Sequence, residues 1–182
     1  MRYAGEDGVA AYGVLMYVNM IFLSAFIGYA IGTAPVIGYH FGAENSDELK
    51  SILKKSYVII GAFSISMLAL SLTLAKPLAL IFVSYDRSLL ELTLRGFSFF
   101  SFSFLFAGIA IFGSSFFTAL NNGLVSSIIS FLRTLVFQIA AVMLLPLIWK
   151  TDGIWISIII AEAMAFTITF MFIYAMRKKY KY

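Results

Sequence analysis

The spacing of charge along this chain leaves few folds open to it. No Asp, Glu, Lys or Arg occurs between Asp7 and Glu44, between Lys55 and Lys76, or between Arg95 and Arg133. Each gap holds the ~20 predominantly apolar residues that a helix needs to cross a hydrocarbon core ~30 Å thick. Charged residues make up 12% of the chain and hydrophobic residues 62%, against about 25% charged in an average soluble domain. Inside lipid, each segment must satisfy its own backbone hydrogen bonds, so continuous apolar runs of this length form helices. The pattern therefore predicts an all-α integral membrane protein.

Five transmembrane helices are expected, near 9–39, 57–75, 96–120, 124–149 and 153–176. The first apolar run is far longer than the core of a cleavable signal, so it is expected to stay in the membrane. Between the first two spans, Ser46, Asp47 and Glu48 suit a helix start, and Lys50, Lys54 and Lys55 follow on amphipathic turns. Pro77 is expected to stop the second span. A charged helix should follow, with Glu91 and Arg95 paired across four residues. Asn121, Asn122 and Gly123 form a turn signal that makes the third and fourth spans antiparallel neighbours. The sequence shows no internal repeat and no soluble domain, so the 182 residues read as one unit.

One end of the bundle collects Lys50, Lys54, Lys55, Arg177, Lys178, Lys179 and Lys181; the other collects Arg2, Lys76, Arg87, Arg95 and Lys150. The excess at the first end predicts a multi-pass protein of the inner (cytoplasmic) membrane with its C-terminus in the cytoplasm. A net charge of +4 confined to loops and tail points to membrane lipid as a neighbour rather than nucleic acid. The 19 Phe and 10 Tyr are expected mostly in lipid contact and in the interfacial belts. No nucleophile set, phosphate loop or metal-ligand cluster is visible, and a single histidine builds no zinc site, so no enzyme and no cofactor are expected. That histidine, His40, is expected to be solvated at a span end.

Counting residues inward at 1.5 Å each puts Asn19, Ser66, Gly108, Arg133 and Glu162 in one layer near mid-membrane. An isolated charge there costs from ~2.5 to more than 10 kcal/mol, so Arg133 and Glu162 must face protein or water. They lie on consecutive antiparallel spans and can pair. Such a pair either pins two helices or relays protons or cations through a hydrated cavity, with Gln138 and Asn19 as hydrogen-bonding walls. Ser114, Ser115 and Thr118, with Ser98, Ser101 and Ser103, either line a cavity or serve as small packing residues.

The stretch GTAPVIGYHFGAEN, with Gly28 one turn before it, carries a stripe of small residues, Gly28, Gly32, Gly38 and Gly42, around Pro35. It is expected to interrupt the helix and to invite close packing. Together with KPLALIFVSYD, with FFTALNNGLVSSIISFLR ending at Arg133, and with DGIWISIIIAEA ending around Glu162, it resembles the multidrug and toxic compound extrusion (MATE) transporters. The resemblance covers most of the chain. It implies one six-helix lobe lacking its first helix, of a protein whose two lobes rock around a central cavity. The activity it implies is export of cationic or amphipathic small molecules in exchange for H+ or Na+. The implied partner is a missing N-terminal lobe or its equivalent, without which the chain should not transport. The coupling-ion carboxylates described in the family lie in the first helix of a lobe or in the helix matching the third span here, and that span carries no acid. A lipid-linked oligosaccharide flippase of the same superfamily and a non-transporting membrane subunit or remnant are the alternative readings. Pro35 and the glycines are then assigned to packing and bending during cavity rearrangement.

Overall fold

A computed structural model describes residues 5–182; Arg2, one of the charges used for orientation, lies outside them. The chain is helical almost throughout: α1 (Gly5–Gly42), α2 (Ser46–Val83), α3 (Arg87–Phe100), a 3-10 turn (Ser101–Ser103), α4 (Phe104–Ala119), α5 (Gly123–Phe131), a π-helical turn (Leu132–Phe137) and α6 (Gln138–Tyr180). Short polar caps separate them. Asn45, Asp86 and Asn122 each accept a backbone N–H from the first turn that follows, through their side-chain oxygens. Glu44 and Asn121 take positive φ at the two tightest connections, 53° and 56°.

Neither Pro35 nor Pro77 ends its helix; each lies inside a helix of 38 residues. The expected break at Pro35 and the expected stop at Pro77 are thereby corrected. The reason is packing. Ser71, Ala75, Ala79 and Val83 keep one buried face at four-residue spacing straight past Pro77, while Pro77 itself is exposed. Continued burial offsets the lost backbone hydrogen bond.

Among the described residues, four helical runs are long and apolar enough to cross a membrane, rather than the five expected: Gly5–Gly42, Ser46–Val83, Arg87–Ala119 and Gly123–Tyr180. The difference lies in the last run. Lys150 has φ 51° and ψ −125°, which is not helical. A methyl at Gly153 would come within 2.5 Å of the Leu145 carbonyl oxygen, far closer than residues eight apart on a straight helix. The chain therefore doubles back at Lys150, and α6 is two arms, 138–149 and 151–180.

The run Arg87–Ala119 occupies the centre, with 67% of its most apolar window buried against 33% or less in the other three. Phe97, Phe100, Phe104, Phe112, Phe116 and Phe117 on it are almost wholly enclosed, together with Phe26 and Trp155. Part of the aromatic content thus fills the core, where rings supply the bulk that a central helix presents to its neighbours; the larger share is half-buried or exposed. Gly96, Gly108 and Gly113 admit the neighbours: a methyl at Gly96 would meet Leu15 at 2.6 Å, and one at Gly113 would collide with Thr169. By contrast Gly28, Gly32 and Gly42 have nothing within 4 Å, and Gly38 only the Ala119 carbonyl at 3.6 Å. Close packing at the stripe on α1 is therefore not what this chain displays.

Buried hydroxyls add interhelical hydrogen bonds. Ser71 and Ser101 lie 2.6 Å apart between α2 and the 3-10 turn, and Tyr29 donates to Ser56 at 2.9 Å. At one end Arg95 reaches Asp152 at 2.7 Å, and Glu91 turns back to Arg87 at 3.5 Å. The expected Glu91–Arg95 pair is replaced because the hairpin brings a better-placed carboxylate to Arg95.

Candidate functional site

Arg133 sits on the π-helical turn, Leu132–Phe137. A π turn spaces its hydrogen bonds over five residues instead of four, and such turns recur at functional positions in helices. Thr134 donates its hydroxyl to the Ser130 carbonyl at 2.7 Å, giving the acceptor just before the wide turn a partner. Across the hairpin, on the arm 151–180, stands Glu162. Arg133 Nε donates to Glu162 Oε2 and Nη2 donates to Oε1, both at 2.8 Å. Both carboxylate oxygens are engaged in a two-pronged, charge-assisted pair. The side chains are only 16% and 15% exposed, so loss of either partner leaves the other charge stranded.

Arg133 also lines a cavity of about 360 Å³ between α1, α4 and α5. The α1 wall is aliphatic, formed by Leu23, Ile27 and Ile31; the facing wall is hydroxylic. Ser114 Oγ lies 2.9 Å from Ser126 Oγ and 2.7 Å from Ser130 Oγ, and Thr118 Oγ1 lies 2.7 Å from Ser126 Oγ. Ser115 donates instead to the Ala30 carbonyl at 3.0 Å, tying α4 to α1 beside the cavity. The space thus has one apolar wall, one wall of linked hydroxyls and a single guanidinium. It suits an amphipathic guest or a short file of water, since each hydroxyl can both donate and accept.

Of the four pathway residues expected from sequence, the structure brings Arg133 and Glu162 together and places the other two elsewhere. Gln138 hydrogen-bonds the Tyr12 hydroxyl, and Asn19 is half-buried on α1 outside the cavity lining. The common layer does not hold for Asn19, because a methyl at Gly108 would touch Phe26 at 2.6 Å and Ile60 at 2.7 Å. Phe26 is about two turns further along α1, or ~10 Å. The count started at Val9, whereas the helix runs from Gly5 and packs in a register fixed by the central helix. Ser66 is exposed on α2. His40 is half-buried at the end of α1, its Nδ1 enclosed without a hydrogen-bond partner.

The hydroxyls on the third span divide between the two roles weighed for them. Ser101 and Ser103 are buried in packing, Ser98 bonds the Arg95 carbonyl at 2.7 Å, and Ser114, Ser115 and Thr118 line the cavity. Sequence reasoning missed Ser126, Ser130 and Thr134. A signal was present: these three recur every four residues, facing Ser114 and Thr118 at the same spacing across the Asn121–Asn122–Gly123 turn.

Comparison with known proteins follows the same outline. The family model described as MatE matches residues 1–144. Among solved structures, the fold is similar to the outward-facing conformation of a multidrug resistance MATE family transporter of the MOP superfamily (TM-score 0.91, 21% identity, covering 98% of this chain and 40% of that one). It is equally similar to an inward-facing conformation of a transporter so described (TM-score 0.90, 21% identity, 98% and 42% covered). The Vibrio cholerae MATE transporter VcmN in its bent form matches as well (TM-score 0.89, 19% identity, 97% and 40% covered). No curated protein matches the chain. The chain spans about 40% of the length of the solved structures it resembles.

Proposed function

The chain belongs to the MatE family, and on that premise we propose that it is most of one lobe of a membrane exporter of cationic or amphipathic small molecules. Counting the hairpin at Lys150 as two crossings gives five. The second lobe is a partner of similar design, and the lysine-rich end faces the cytoplasm of a cell bounded by the inner membrane. Export is coupled to the entry of H+ or Na+ and proceeds by alternating access, with the lobe moving as a body. Near-equal likeness to outward-facing and inward-facing structures supports that last point.

The observation that carries this reading is the Arg133–Glu162 pair at the edge of a hydroxyl-lined cavity. Arg133 faces the cavity and Glu162 holds it there. Parting the two by a local change within the lobe would free a carboxylate for the coupling ion. A flippase for lipid-linked sugars would need several cations around its charged cargo, and Arg133 is the one charged side chain lining this cavity.

The test uses the chain joined to its second lobe. Glu162→Gln should abolish coupled transport of a fluorescent cation while leaving membrane expression intact. Loss of both together would assign the pair to locking helices. The genomic sequence upstream provides the companion check, with about seven further spans expected in the same or an adjacent frame. An upstream region with nothing hydrophobic would instead favour a non-transporting subunit.

A further inference from the structure

Lys50, Leu53, Lys54 and Tyr57 on α2 follow the spacing i, i+3, i+4, i+7, and Phe170, Ile173, Tyr174 and Arg177 repeat it on the last arm of α6. Residues so spaced share one helix face. The two faces meet with the Tyr57 and Phe170 ring centroids 6.5 Å apart. Above that contact a groove of about 190 Å³ opens, with Leu53 and Tyr57 on one side, Ile173, Tyr174 and Arg177 on the other, and Tyr182 closing it.

The polar groups of this groove are incompletely matched. Tyr57 Oη is enclosed and has no hydrogen-bond partner. The Arg177 guanidinium sits 4.0 Å over the Tyr174 ring and donates to its hydroxyl at 3.1 Å. Among the described residues no carboxylate pairs with Arg177 or Lys54, whereas Lys50 and Lys55 are paired with Asp47 and Glu48. Tyr182 donates to the Ile173 carbonyl at 3.0 Å. Burial, with Tyr57 and Tyr180 nearby, pushes its phenol above the ordinary value, so this wall stays neutral. At this end of the bundle Lys50, Lys54, Lys55, Arg177, Lys178, Lys179 and Lys181 outnumber Glu44, Asp47 and Glu48.

We propose that this groove binds an anionic phospholipid, its phosphate held between Arg177 and Lys54, an ester or phosphate oxygen accepting from Tyr57, and its acyl chain lying along Phe170. Tyr57 is seven residues from Lys50, hence ~10 Å deeper, the span from a headgroup to the start of the acyl region. Aromatic residues with a polar tip favour that zone, and basic pockets between helices at a leaflet surface recognise anionic headgroups.

Native mass spectrometry of the detergent-purified chain, offered dioleoylphosphatidylglycerol or dioleoylphosphatidylcholine at equal concentration, tests the site. The anionic lipid should be retained at least about tenfold better. Removing charge in Arg177→Gln and in Lys54→Gln should each cost about fivefold in retention. Tyr57→Phe keeps the ring and should cost about threefold, which decides the matter alone if the charge variants do not fold. Arg87→Gln, at the opposite end, should leave retention unchanged. Equal retention of the two lipids, undiminished retention in the double charge variant, or displacement of the lipid by millimolar inorganic phosphate would each overturn the proposal.

Discussion

A methyl group added at Gly108 would lie 2.6 Å from Phe26 and 2.7 Å from Ile60, whereas one added at Gly32 would meet nothing within 4 Å. The two glycines stand on neighbouring parallel helices, and only the first is there for want of space. Around Gly96, Gly108 and Gly113 the central helix is packed on all sides by rings and aliphatic chains. On the cavity side, aliphatic residues of α1 face hydroxyls of α4 and α5 across a space of about 360 Å³, and the Arg133–Glu162 ion pair adds to the apolar contact of Phe137 and Ala141 with Ala161 and Ala165 between the hairpin arms. The contrast teaches that a small residue in a membrane helix marks close packing in one place and open space in another, and that the sequence around it does not say which.

The largest effect should come from the open side. Glu162→Leu strands Arg133 in a site with little access to water and should lower stability by about 3 to 5 kcal/mol, measured by denaturation in detergent. Arg133→Leu with Glu162→Leu should restore most of the loss; a double variant as unstable as the single would mean that the two charges are not each other's reason for being there. Next, Gly108→Val should lower stability by about 1 to 3 kcal/mol through overpacking. An equal loss from Gly32→Val would erase the distinction between the two helices. Ser71→Ala removes a buried interhelical bond and should cost about 1 kcal/mol. Ser101 still donates to the Phe97 carbonyl at 2.7 Å, which limits the damage. Smallest of all, Gly32→Ala should raise stability by about 0.5 to 1 kcal/mol, because α1 then gains a better helix former at no steric cost. A fall in melting temperature would show that Gly32 is covered by a partner.

The spans and the Asn121–Asn122–Gly123 turn were legible because bilayer thickness and backbone chemistry act locally, residue by residue. The pairing of Arg133 with Glu162 was legible for a similar reason: two charges in consecutive apolar helices have few other ways to be satisfied. Register was not. Whether Asn19 or Phe26 stands beside Gly108 depends on how the side chains of neighbouring helices pack against the central one. The persistence of α2 past Pro77 likewise depends on Ala79 and Val83 finding a buried face. The π turn at Arg133 adds one residue to a helix without any compositional mark, so nothing in FLRTLVF announces it.

The reversal at Lys150 bears on how the chain enters a membrane in the first place. The arm that carries Arg133, arriving alone, would bring a bare cation into the hydrocarbon, at about 2.5 to 3.5 kcal/mol on insertion scales. The arm that carries Glu162 would bring the opposite charge at a comparable expense. Joined by so short a bend, the two can leave the translocation machinery together, with the guanidinium already neutralised by the carboxylate. The hairpin is therefore the smallest piece of this chain that can partition into lipid with its own counter-ion.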